Sequence, residues 1–104
     1  MNAIPATAEV LEELDVEEYA RSGKHKPPAK RYRIRIDDER YIVDVPKMTG
    51  RQLLELSKHV PVERFAIYQK VHGDRKKIGL DEFADFTTPG IERFETIENC
   101  EQAG

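Results

Sequence analysis

The residues with chemical potential are few, and the most suggestive lie at the end of the chain. Ala103-Gly104 closes it with two slim residues. Glycine has no Cβ, so a terminal glycine carboxylate can thread a narrow channel and reach the α-phosphate of ATP where a bulkier residue is blocked. Cys100 lies four residues from the end. No lysine, arginine or histidine adjoins it to favour the thiolate, and Glu98 and Glu101 disfavour it. An inert tail thiol is therefore expected rather than a redox or thioester centre. His25, His59 and His72 are scattered, with no cysteine at ligand spacing. Zinc needs several convergent ligands, so no metal site is expected. Asp81, Glu82 and Asp85 lack the alternating ligands of a calcium loop and read as caps of a turn around Phe83. With no Ser-His-Asp pattern, phosphate loop or paired acid site, the chain reads as a non-enzyme that needs no cofactor.

Charge is the second signal. The net charge of −3 hides an asymmetry. Glu9, Glu12, Glu13, Asp15, Glu17 and Glu18 form an acidic block without a base, and Lys24, Lys26, Lys30, Arg31, Arg33 and Arg35 a basic block without an acid. Opposite blocks invite contact, within one molecule or between neighbours. Tyr32 is the sole aromatic within the basic run and is expected to point inward, so nucleic acid is not an expected partner. A solvated strand face, or a dock for the acidic segment, is the reading preferred for Arg31, Arg33 and Arg35.

At 104 residues, one domain is expected. No apolar window approaches the length of a membrane span, and the N-terminus MNAIPATAEVLEELD lacks a basic flank and an apolar run. A single cysteine cannot form an intramolecular disulfide. Together these features favour a cytoplasmic protein without a membrane partner.

The elements that must position these residues follow from periodicity. Residues 1–29 read as an acidic extension. Thr7 can cap a short helix there, Val10, Leu11, Leu14 and Tyr19 would share its face, Gly23 would stop it, and Lys26-Pro27-Pro28 would link it onward. Such a helix is marginal alone and needs a surface to dock on. From Lys30 to Asp37 the pattern alternates, with Tyr32, Ile34 and Ile36 on one face and Arg31, Arg33 and Arg35 on the other. After the turn Asp37-Asp38-Glu39, Arg40–Pro46 alternates again, with Tyr41, Val43 and Val45 inward. Two such runs across a tight turn make a hairpin. Thr49 is a good N-cap for a helix from Gly50 to Lys58, with Leu53, Leu56 and Val60 on one face and Leu54 beside them; Pro61 ends it. Phe65 and Ile67 mark a strand from Arg64 to Val71, with Ala66 and Tyr68 pointing outward. His72-Gly73-Asp74 is a turn, and Lys77-Ile78-Gly79 a minimal edge strand. Leu80, Phe83 and Phe86 fall in an Asp-rich connection with room for one helical turn. Ile91–Ile97 is the last strand, anchored by Phe94, and residues 98–104 form a polar tail expected to be flexible. One helix on one face of a four- to five-stranded mixed sheet is an α+β, β-grasp layout.

In this order and in its residues, the stretch 30–97 resembles the ubiquitin superfamily, and more closely the prokaryotic multiubiquitin-type domain family. The matching segments are KRYRIRID, RYIVDVP, MTGRQLLEL, RFAIYQK, DEFADF and PGIERFETI. The resemblance implies a ubiquitin equivalent from a bacterial conjugation operon, whose carboxylate at Gly104 is adenylated, passed to enzyme cysteines and joined to a nucleophile on a target protein. It implies activating-enzyme-like and conjugating-enzyme-like partners and a metallopeptidase-like deconjugating enzyme. It also implies that Ala66 and Tyr68 lie on the strand whose outer face serves partner recognition in that superfamily. The chain differs from ubiquitin in ending Gln102-Ala103-Gly104 rather than in a double glycine, and in the acidic Glu98 and Glu101 of its tail; the latter implies a basic groove on the activating enzyme. Two alternatives stay open. One is a non-covalent module that self-associates when Val10, Leu11 and Leu14 of one copy dock on the basic strand or helix–sheet groove of the next. The other is a sulfur carrier, which shares fold and activation chemistry.

Overall fold

The computed structural model describes residues 10–99. In chain order it contains β1 (Leu11–Asp15), α1 (Val16–Ser22), β2 (Ala29–Ile36), β3 (Glu39–Val43), β4 (Lys47–Thr49), α2 (Gly50–Leu56), a 3-10 turn (Val62–Arg64), β5 (Phe65–Val71), β6 (Asp74–Ile78), β7 (Phe83–Asp85) and β8 (Ile91–Glu98).

The β2–β3 hairpin forms as the alternation dictates, with Ile36 opposite Glu39 and Tyr32 opposite Val43. Asp37 takes φ 55° in the turn, a conformation that aspartate tolerates better than most residues. α2 begins where expected. Thr49 accepts from the Gln52 amide while the Gln52 side chain accepts from the Thr49 amide, a reciprocal cap. Leu53 and Leu54 are fully buried and join Ile34, Ile36, Ile67 and Phe94 in one core. Phe86 is also fully buried there, edge-on to Phe94 at 6.0 Å between centroids. The main sheet has six strands and is mixed: β8 runs parallel to β2 and antiparallel to β5, and β6 closes the far edge. α2 packed against a mixed sheet with a parallel central pair is the β-grasp arrangement expected; the sheet has six strands rather than four or five, and a second helix, α1, also packs on it. β4 and β7 form a separate antiparallel pair.

The N-terminal segment departs from expectation. Residues 11–15 are a strand rather than the first half of a helix, and the helix is capped by Asp15, not Thr7, which lies outside the described residues. β1 runs parallel to β2, from Leu11 opposite Ala29 to Asp15 opposite Arg33. β3 occupies the other flank of β2 over Tyr32–Ile36. β1 and β8 therefore lie end to end along one flank, β8 meeting β2 at Ile36 opposite Phe94. A polar strand such as Leu-Glu-Glu-Leu-Asp has little strand propensity of its own. Here the backbone pairing and the opposed arginines of β2 override that weakness. α1 supplies the crossover that two parallel neighbours require. It ends at Gly23, whose φ of 73° fits a left-handed cap and whose amide donates to Tyr19 O.

Other differences are local. Val45 and Val60, expected inward, are 40% and 58% exposed. β3 stops at Val43 and α2 at Leu56, so neither periodicity extends to the later residue. Phe83 is likewise exposed, in a short strand rather than a helical turn. No helix among the described residues is long and apolar enough to cross a membrane.

Candidate partner-binding surface

Strand alternation assigns the two faces of the sheet. Tyr32, Ile34 and Ile36 turn toward α2, so Arg31, Arg33 and Arg35 stand on the outer face. The acidic segment meets them residue by residue. Glu12 pairs with Lys30 and Arg31 at 3.3 Å each, Glu13 with Arg33, and Asp15 with Arg33 at 3.7 Å. Glu17 is the centre of the ladder. Its carboxylate is buried and lies 3.6 Å from Arg21, 3.6 Å from Arg35, 3.7 Å from Arg93 and 4.0 Å from Arg40. A buried carboxylate is tolerated only when charge surrounds it, and here four guanidinium groups do so.

The acidic and basic blocks thus meet within one molecule, as one of the two arrangements foreseen. The apolar stripe of the extension is not uncovered. Leu14 is fully buried beside Tyr32, and Leu11 packs on the same core; only Val10 is exposed, at 47%. Leu14 points into the core because β1 continues the sheet, which places alternate residues on its inner face; Val16, which opens α1, is fully buried in the same cluster. Of the proposed partner residues, Arg31, Arg33 and Arg35 are therefore engaged in the chain's own acids.

Ala66 and Tyr68 lie on the outer face, opposite Ile97 and Glu95 of β8. Ala66 is nonetheless buried, at 6% exposure, because its small side chain sits below its neighbours in mid-sheet. Tyr68 is half-buried and carries the Arg75 guanidinium 5.1 Å from its ring centroid. A groove of about 550 Å³ beside it mixes Arg35, Arg75 and Arg93 with Asp37, Asp38 and Glu95, so it has no single charge preference. Gly104, Ala103 and Cys100 lie outside the described residues.

The histidines have separate tasks. His59 contacts Ser57 Oγ at 2.8 Å and Thr96 Oγ1 at 3.2 Å, and His72 packs over Gly90. Among the described residues no three His, Cys, Asp or Glu side chains converge as a metal site would need. The acids near Phe83 do cap turns: Glu82 accepts from the Gly79 amide at 2.9 Å, and Asp85 from Thr87 N at 2.9 Å and Oγ1 at 2.6 Å. The Thr87 hydroxyl is the main reason the Asp85 carboxyl titrates below its usual range. Lys26, from the basic run, clips the linker to the connection after β7. Its Nζ donates to Phe86 O at 2.9 Å and Thr88 O at 2.7 Å. Burial lowers its pKa to about 8, against the opposing pull of Asp85.

Sequence patterning missed the length of β6, which spans Asp74–Ile78 rather than the minimal Lys77–Gly79. The signal was present in β5: a seven-residue strand followed by a Gly73 turn calls for a partner of similar length. β6 carries Arg75, Lys76 and Lys77 along the sheet edge.

The fold and this surface define a ubiquitin-like β-grasp domain that presents sheet faces and the edge strands β1, β3 and β6. The chain belongs to the multiubiquitin family, whose model matches residues 32–99. No curated protein and no solved structure matches it.

Proposed function

We propose that the chain is a bacterial ubiquitin-like protein modifier joined to its targets through the carboxylate of Gly104. The observation that carries this reading is membership of the multiubiquitin family over residues 32–99. The last described strand supports it. β8 is an interior strand, paired with β5 from Ile91 to Glu98, and the Asn99 amide donates to Arg64 O at 2.8 Å. The described part of the domain thus ends on a fixed point.

The chain is the substrate in this chemistry. The Gly104 carboxylate attacks the α-phosphate of ATP and releases pyrophosphate. An enzyme thiolate displaces AMP to give a thioester, and a target amine then displaces the thiol to leave an amide. A cognate activating enzyme, a conjugating enzyme and a metallopeptidase-like deconjugating enzyme would be the partners, acting in the cytoplasm. Incubation with the activating enzyme and ATP should give a covalent adduct detectable by mass, and deletion of Gly104 should abolish it. An adduct that persists without Gly104 refutes the assignment.

A further inference from the structure

The basic edge strand β6 is left over once the fold and the acidic ladder are accounted for. It pairs with β5 alone, and among the described residues no strand meets its other flank. Asp74, Arg75, Lys76 and Lys77 are all exposed. Backbone N–H and C=O groups on such a flank are a template for another strand. Consecutive residues point to opposite faces, so Arg75 and Lys77 flank the edge on one side and Lys76 on the other. Arg75 is paired with Glu95 at 3.5 Å, whereas Lys76 and Lys77 have no ion-pair partner among the described residues.

This charge selects the occupant. Two copies meeting edge to edge would bring like charges together, which disfavours self-pairing. An acidic strand meets the opposite situation, and the chain already contains that arrangement: the Leu-Glu-Glu-Leu-Asp strand β1 lies along the basic strand β2 with its carboxylates on arginines and a lysine. At the Ile78 end of β6 a groove of about 330 Å³ has apolar walls from Phe65, Ile78 and Leu80, and its charged lining is one base, Lys77, and one acid, Glu63, the latter 4.0 Å from Arg51. Phe65 and Leu80 are only half-buried, so the groove opens to an apolar side chain.

We propose that β6 is a docking edge for an extended acidic peptide of a partner protein, which adds as a further strand of the sheet and seats one bulky apolar side chain against Phe65 and Leu80. Main-chain pairing supplies adhesion, Lys76 and Lys77 select acidic sequence, and the groove sets the register.

The test uses the full chain and a synthetic peptide of alternating glutamate and valine with a leucine near one end. Binding is followed by amide chemical shifts and calorimetry. Saturable shifts centred on residues 74–78 are expected. Affinity should fall about tenfold in the double variant Lys76→Glu/Lys77→Glu, since two exposed attractions become repulsions. The same peptide N-methylated at alternate residues along its pairing edge keeps its charge but cannot form the ladder, and should not bind. Overturning results are absence of saturable binding, shifts centred elsewhere, equal affinity of the double variant, or equal affinity of the N-methylated peptide. No ATP or activating enzyme enters this assay, so its outcome is independent of the modifier reading.

Discussion

Leu14→Ala should cost the whole domain about 3 kcal/mol, although position 14 precedes the sheet's hairpin and lies outside the family match. Leu14 is fully buried, in register with Tyr32 and in one cluster with Val16 and Ile34. Truncation removes the transfer free energy of the lost carbons and leaves a cavity, and fully buried Leu→Ala changes typically cost about 2–5 kcal/mol. For a domain of this size each kcal/mol lowers Tm by roughly 4–8 °C. The expected loss is therefore about 15 °C in a thermal melt followed by circular dichroism, in a single transition. Val10→Ala, at an exposed position of the same segment, should shift Tm by less than about 3 °C. If residues 10–23 were an appendage on an independently stable sheet, Leu14→Ala would be as silent as Val10→Ala. A Tm within about 2 °C of the parent would refute the claim that β1 belongs to the core.

Gly50→Ala should destabilise the protein, against the usual sign. Alanine is the better helix former, but at Gly50, the first residue of α2, a Cβ would stand 2.5 Å from Gly79 O. The clash is with backbone, so urea denaturation should show a loss of about 1–3 kcal/mol; an unchanged midpoint would sink the argument. Lys26 gives a pH prediction. Its pKa is lowered from 10.5 to about 8 in the folded state, so between these values the unfolded chain binds more protons and this group's contribution to stability rises with pH. Relative to Lys26→Met, the parent should gain stability as pH climbs from 8 to 10.5. Urea midpoints of both proteins across that range check it, and a difference that stays flat contradicts it.

Much of the fold was legible because its signals are local. Tyr32, Ile34 and Ile36 alternate without interruption, Thr49 and Gln52 stand at capping distance, and Phe94 is the obvious anchor of the last strand. Each depends on residues within one turn or one pleat of itself. Residues 10–22 were less legible for the opposite reason. Val-Leu-Glu-Glu-Leu-Asp suits a helix on propensity, and its conversion to a strand depends on hydrogen bonds to residues 29–33 that no local pattern reveals. Lys77-Ile78-Gly79 reads as a minimal strand after the turn His72-Gly73-Asp74, because Arg75 and Lys76 between them carry no apolar signal. Pairing with β5 makes Asp74–Ile78 a strand.

The sequence by itself determined the family, the hairpin, the capped helix and the presence of two opposite charge blocks, all of which rest on residue type and short spacing. Only the tertiary structure decided where those blocks meet. Parallel register sets Asp15 beside Arg33 and lets Glu17 reach Arg93, a residue from the other end of the chain. The same register turns Leu14 from a surface residue into core, because strand geometry directs alternate side chains to opposite faces. It also leaves β6, rather than the arginines of β2, as the basic edge with lysines to spare.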